Sequence, residues 1–427
     1  MTLAFGLLVA LLLSAPALAF APSPTTSALV TLYVAVVIGT IGLELRPGEA
    51  AHVAKVSRRA AVVAAIPVLV MALQLLPAPG LGNPIWASAA AALGQPLTER
   101  ITIDLGASVG AIGFYLVAAA TAIATVGVAS DRHRAEWLLF ALTGVGTLMA
   151  ATAVVHDLTG STFLGETGMP TRGVFDAGAA LGVVFAATTA NLAVERYETR
   201  RGRAAMTTVQ LIEGLSLSLG ALLVCALAVG FFSGGLLAFA AGCGFATFAV
   251  SVAVRRLGMG AWVSTGLAAA VLAAAAMIAA GNWSGEADIA LRFAATSGVL
   301  ASEQRMVSDA GAGGSGAGTW PAVHRLYRMP DEPVRPPPTT AARIEVEFGW
   351  PALWGAIVLA VLLVAELVAG ALGRGRDSFY SSGAAAAVVV VAIETFRDAS
   401  LFTPTITIVA AVTIGLGLAQ SKSRSAH

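Results

Sequence analysis

Ionisable residues are scarce in this chain, and those beside apolar blocks are where chemistry could reside. Glu394, Arg397 and Asp398 cluster at the end of one apolar block, and Arg172 and Asp176 open another. Carboxylates within a membrane span are costly, so Glu394 with its neighbours marks a functional site or a buried ion pair. Arginine adds a planar fork that suits phosphate or carboxylate. His156 and Asp157 form a second candidate pair, either a base with its partner or a polar helix end. Glu213 and Glu366 also fall in apolar blocks, and Glu366 lies near enough to a block end to meet Arg374.

A third group sits in a long polar stretch. Gly311 to Gly318 is glycine-rich and leads into Thr319-Trp320, then His324, Arg325 and Arg328. Glycine permits tight turns and close backbone approach to a ligand. Backbone N–H groups followed by guanidinium groups could cradle a phosphate. A flexible hinge before an exposed basic face is the simpler alternative. His324 is the one histidine of this stretch. It could act as a base, which requires hydrogen-bond reach of the proton it takes, or it is a solvated neighbour of Arg325 and Arg328. Arg292, Arg305, Arg335 and Arg343 belong to the same stretch. Cys225 and Cys243 lie in apolar blocks and read as small hydrophobes, with no metal-ligand or disulfide spacing.

The elements that must position these residues are membrane helices. Of 427 residues, 57% are hydrophobic and 11% charged, against roughly 25% charged in a soluble domain. The net charge of +1 gives no field directed at nucleic acid. Apolar blocks fall at 2–20, 27–45, 60–76, 106–129, 137–155, 174–194, 207–230, 234–254, 259–280, 350–372, 379–396 and 404–420. Each approaches the roughly 20 residues that a spanning helix needs. The first ends in Ala17-Leu18-Ala19, which resembles a signal-peptidase site, but it lacks a basic leader and reads as a first span. The expected fold is therefore an all-α polytopic membrane protein with about 12 transmembrane helices.

Charge alternates between the connections. Arg46, Lys55, Arg58 and Arg59, then Arg132 and Arg134, Arg196 to Arg203, Arg255 and Arg256, Arg374 and Arg376, and the tail hold most of the 25 basic residues. These are alternate connections, so the positive-inside rule places them, and both termini, in the cytoplasm. The opposite side then carries a loop at 77–105 with Trp86, suited to a short interfacial helix, and a loop at 156–173. It also carries the long loop 281–349, between the ninth and tenth spans. Residues 1–280 form the first nine spans, 281–349 the outer loop, and 350–427 the last three spans and tail. In the loop, Glu286 to Ala310 reads as an amphipathic helix and Asp331 to Pro338 as an extended proline-rich run.

This plan resembles the O-antigen ligase and polymerase superfamily of bacterial inner-membrane proteins. Gly313-Gly314-Ser315-Gly316-Ala317-Gly318-Thr319-Trp320, with Val323 and Tyr327-Arg328, is similar to the family's Gly-x-Gly-x-Gly-Thr-Phe segment. Ile344-Glu345-Val346-Glu347-Phe348-Gly349-Trp350-Pro351 resembles its Leu-x-x-Glu-Leu-Gly-x-Pro return to the membrane. Phe396 to Pro404 resembles its Asp-Phe-Ser-Leu-x-x-Pro segment, and Leu73-Gln74-Leu75-Leu76-Pro77 fits before the first outer loop.

The resemblance implies a GT-C-like arrangement and a donor glycan linked through pyrophosphate to a polyprenyl lipid. The acceptor would be a second glycan or lipid A-core, with membrane lipids around and no metal or other cofactor. It implies pyrophosphate contacts from Arg172, Arg292, Arg305, Arg325, Arg328 or Arg397, supported by Asp176, Glu394 and Asp398. An active member would be a metal-independent inverting glycosyltransferase in surface polysaccharide or lipopolysaccharide assembly. Two departures stand out. The family's Ala-His-Asn is replaced by Pro336-Pro337-Pro338-Thr339-Thr340-Ala341-Ala342-Arg343, and Thr171 to Asp176 lacks the family's His and Asn. His324 is then the one candidate for a displaced catalytic base. A non-catalytic relative serving as a binding or scaffolding subunit of polysaccharide export, and a secondary transporter, remain as alternatives.

Overall fold

The computed structural model describes residues 1–21, 23–160, 163–164, 170–199, 208–233, 235–257, 301–329, 335–373 and 377–422. Among these the chain is all-helical, apart from one antiparallel bridge between Pro77 and Arg100. The helices are α1 Thr2–Leu18, α2 Pro24–Glu44, α3 Pro47–Leu75, α4 Ile85–Leu93, α5 Leu105–Val128, α6 Arg132–Thr159, α7 Pro170–Thr199 and α8 Thr208–Leu227. There follow α9 Gly235–Leu257, α10 Ala301–Ser308, α11 Trp320–Tyr327, α12 Thr340–Phe348, α13 Trp350–Leu372, α14 Ser378–Glu394 and α15 Pro404–Ala419.

Eight of the described helices are long and apolar enough to cross a membrane, and α1, α14 and α15 are shorter apolar helices. This is the build of a multi-pass membrane protein. The expected span at 259–280 lies outside the described residues, as does the first part of the long loop. Helix α3 differs from expectation. It begins at Pro47 rather than near residue 60, because a Pro at its start and Glu49 folding back onto the Arg46 N–H open the helix before the apolar block does.

The bundle centres on α7 and α14, whose residues are buried along most of their length. Helices α6, α8, α9 and α14 pack around α7. In lipid there is little hydrophobic drive between helices, so association rests on close packing of small residues. Gly146 and Gly182 show this: a Cβ on Gly146 would stand 2.7 Å from the Gly182 Cα. Around the rim, α2, α3 and α13 turn residues such as Leu43, Leu69, Val361 and Leu362 outward. Helix α1 is part of the packed bundle, with Ala4, Leu8 and Leu12 fully buried and the Thr405 hydroxyl donating to the Ala15 carbonyl at 2.8 Å.

The two ends differ. At one, the basic connections pair with acids: Arg132 and Arg196 with Glu136, Arg132 with Asp377, and Arg255 with Glu195. Glu366 joins this side through Arg59 at 3.3 Å and Lys422 at 3.8 Å. The expected partner Arg374 lies outside the described residues. Glu213 is exposed on α8. The other end gathers α4, α10, α11 and α12 with the turns around Arg172 and Arg397.

Candidate functional site

The glycine run folds as a docked loop. Gln74, at the last turn of α3 and almost wholly buried, donates to the carbonyls of Gly313 and Glu347 at 3.1 and 2.9 Å and accepts from the Ala317 N–H at 3.1 Å. The N–H groups of Ser315 and Gly316 donate to the Val346 and Glu347 carbonyls, both at 2.9 Å. Ile103 donates to the Ser315 carbonyl at 3.0 Å, and the Ser108 hydroxyl to the Ala317 carbonyl at 2.8 Å. Gly316 has φ +107, and a Cβ there would collide with Thr102. Only glycine meets both demands.

This loop holds an anion, but the anion is its own. The Glu347 carboxylate accepts from the Gly318 N–H at 2.8 Å and the Trp320 N–H at 3.2 Å. Arg343, one turn earlier on α12, donates its Nε to the same carboxylate at 2.9 Å and lies over the Phe402 ring, 3.9 Å from the centroid. Of the N–H groups in and just after the glycine run, those of Gly318 and Trp320 serve Glu347, and those of Ser315, Gly316 and Ala317 go to the Val346 and Glu347 carbonyls and Gln74. Backbone N–H concavities of this kind are anion sites, and here a buried side chain supplies the charge.

Trp320 is buried at the first turn of α11 and donates its indole N–H to the Arg335 carbonyl at 3.2 Å. One turn on, His324 is fully buried and stacked on Trp320, with ring centroids 6.4 Å apart. Neither ring nitrogen has a hydrogen-bond partner, and the nearest carboxylate oxygen, on Glu303 of α10, stands 3.9 Å away. His324 is not the solvated residue of the simpler sequence reading, because the helical stripe Trp320, Val323, His324 turns it into the core between α10 and α11.

The second cluster sits where α7 meets the turns after α8 and α14. Arg172 meets both oxygens of Asp157, at 2.5 and 2.6 Å, and donates its Nε to Asp176 at 2.9 Å. Arg397 reaches the other oxygen of Asp176 at 2.6 Å and Asp398 at 2.9 Å, and Glu394 lies 3.6 Å from it. A π-helical turn at Ala228–Phe232 ends α8 and delivers Ser233, whose hydroxyl donates to Asp176 at 3.0 Å. Such turns recur at functional sites. Burial alone would lower the Arg397 pKa, but Glu394, Asp398 and Asp176 outweigh it and raise it, so the guanidinium stays charged.

Sequence-predicted residues therefore divide. Arg172, Asp176, Glu394, Arg397 and Asp398 do come together. In this arrangement the forks of Arg172 and Arg397 are taken by carboxylates, and acids outnumber guanidiniums in the cluster. Arg305, Arg325 and Arg328 are not part of the network; the first two are exposed and the third is half-buried. Arg292 lies outside the described residues. The His156–Asp157 pair splits, Asp157 going to Arg172 and His156 packing edge-on to Phe163 at 5.1 Å. Among the described residues, no group of three or more His, Cys, Asp or Glu side chains could hold a metal ion. Sequence reasoning missed Glu347, Gln74 and Ser233. A lone polar residue at the membrane end of an apolar helix was the signal for Gln74, and an acid two residues before a glycine was the signal for Glu347.

The two clusters are joined. Thr340, at the start of α12, donates its N–H and its hydroxyl to the Asp398 carbonyl, each at 2.9 Å, and the Ala341 N–H donates to the Thr395 carbonyl at 2.8 Å. Five segments spread from Leu73 to Pro404 thus meet at one end of the bundle. No protein-family model matches the chain, and no curated protein matches it.

Proposed function

We propose that the protein handles a polyprenyl-pyrophosphate-linked glycan in surface polysaccharide assembly, as an O-antigen-ligase-like component of a bacterial inner membrane. One observation carries this reading. The segments around Gln74, Gly316, Glu347 and Arg397 resemble that superfamily in sequence order, and they are hydrogen-bonded together at one end, where Asp176 also joins Arg172 to Arg397. Unrelated apolar helices would have no reason to bring these segments to one place. The positive-inside rule assigns the opposite, basic end to the cytoplasm, which puts this end at the outer face and both chain termini inside.

Within that reading, the geometry favours holding the glycan over transferring it. A base must lie within reach of the acceptor proton, and His324 is sealed. Charge developing on a pyrophosphate leaving group needs free donors aimed at it, and Arg172 and Arg397 are neutralised by Asp157, Asp176 and Asp398. The protein thus acts as a binding subunit of polysaccharide assembly or export. The test is to incubate purified protein in nanodiscs with lipid-linked donor and acceptor. The expected result is retention of donor on the protein with no release of polyprenyl pyrophosphate. Release at a steady rate would make it a transferase, and failure to retain donor would end the glycan reading.

A further inference from the structure

Apart from the two hydrogen-bonded clusters, the loop end contains a cavity of about 280 Å³ between the start of α4 and the helices α10 and α11. Its walls are Ile85, Ile103, Met306, Val323 and Val346, with Leu326 at an exposed rim. Four polar side chains also line it: Asn83, Asp309, Tyr327 and Ser315, whose hydroxyl is already bonded to the Val346 carbonyl and to Thr319. The volume is at the lower end for ligand sites and suits one compact ring rather than a lipid tail.

The polar groups define the chemistry. The Asn83 side-chain oxygen accepts from the Ile85 N–H at 3.1 Å, which leaves its NH₂ as a donor. Asp309 is an acceptor and lies beside the Tyr327 hydroxyl, whose pKa is raised first by burial and then by that carboxylate. The phenol proton is directed at that carboxylate, which leaves the Tyr327 oxygen as an acceptor. Among the described residues no arginine or lysine lines the cavity, and a carboxylate does. An anionic group would be repelled there. A ligand with several neutral hydroxyls on an apolar ring would satisfy acceptor, donor and apolar wall together.

We infer that this cavity is a subsite for one neutral sugar ring, held by Asp309, Asn83 and Tyr327 against the apolar wall from Ile103 and Val346. This rests on the glycan reading above and adds where, and to what kind of sugar, the protein binds. The sugar contact is then separate from the Arg172–Asp176–Arg397 network, none of whose residues lines the cavity.

The experiment uses the full chain in detergent micelles and saturation-transfer NMR, with methyl glycosides of neutral hexoses as probes. Wild-type protein should transfer saturation to ring protons of at least one probe. Asp309→Ala and Asn83→Ala should each weaken that signal by about fivefold or more, the loss of one hydrogen bond, and Leu326→Trp at the rim should weaken it too. The folded state is checked by unchanged helicity and elution volume. Full signal in the first two variants, or no signal with any neutral glycoside, overturns the subsite. Saturation of detergent acyl protons in place of sugar protons, lost in Leu326→Trp, would also overturn it, since the cavity would then be a lipid pocket. Donor retention is measured on the same samples. Retained donor without glycoside signal removes the subsite alone, whereas glycoside signal without retained donor removes the lipid-linked reading alone.

Discussion

Asp176 and Arg397 lie 221 positions apart and meet at 2.6 Å, which ties the start of α7 to the turn after α14. Asp176 is nearly fully buried and also carries Arg172 and Ser233. Removing one partner of a buried pair leaves an uncompensated charge and costs about 3–5 kcal/mol. Asp176→Ala should therefore lower the thermal stability of the detergent-solubilised protein sharply. Asp176→Ala with Arg397→Ala should lose clearly less than the sum of the two single losses. Additive losses in thermal melts would mean the pair is not coupled.

Glu347 holds the glycine loop. Glu347→Gln keeps the shape but replaces a charged acceptor of two N–H groups with a neutral amide. Hydrogen bonds to a charged group contribute about 1.5–3 kcal/mol, so the loop should undock while the helices stay folded. Limited proteolysis should then cut around residues 311–319 at low protease, with the transmembrane fragments intact. Wild-type resistance to cleavage would contradict the clasp.

Gly316 and Gly313 should behave differently. Gly316→Ala forces a Cβ against Thr102 at a left-handed backbone angle, whereas a Cβ on Gly313 would meet only Ile101 at 3.8 Å. The first variant should show the same loop cleavage as Glu347→Gln, and the second should resemble wild type. Equal behaviour of the two would mean the loop does not dock against Thr102.

His324 is buried with two unpartnered nitrogens beside Trp320. An unsatisfied buried polar group is a cost, and an apolar ring of similar shape removes it. His324→Phe should be as stable as wild type or more stable and should leave surface polysaccharide unchanged in a complementation assay. Loss of polysaccharide at normal protein level would restore a functional role to the imidazole.

Orientation can be read with single cysteines, because the native Cys225 and Cys243 are buried. Lys55→Cys, at the basic end, and Ser88→Cys, on α4, are both at exposed positions. A membrane-impermeant thiol reagent applied to spheroplasts should label Ser88→Cys and spare Lys55→Cys. The reverse pattern would invert the topology.

Much of this architecture was legible in the chain, and the reasons are local. A run such as 350–372 has nowhere to satisfy its backbone in lipid except within itself, so length and apolarity dictate a helix. That helix begins and ends where the residues predicted. The short α4 with Trp86 was likewise expected from its loop. The start of α3 was misjudged because capping, not hydropathy, sets where a helix opens. At the site, the membership of the Arg172, Asp176, Glu394, Arg397 and Asp398 group was legible, since each charged residue stands at the edge of an apolar block. Its meaning was not. An arginine that binds a diphosphate and one neutralised by neighbouring acids have the same sequence signature.

By itself, then, the order of residues determined that this is a multi-pass helical protein with charge segregated between its connections, because helix formation and insertion depend on contiguous segments. Tertiary structure alone decided how each charge is used. Glu347 fills the glycine loop that looked ready for phosphate, and Asp176 joins two arginines that looked free. His324 turns inward. Each outcome depends on which side chains converge from distant helices at distances under 4 Å, and electrostatics at that range follows spatial neighbours rather than sequence neighbours.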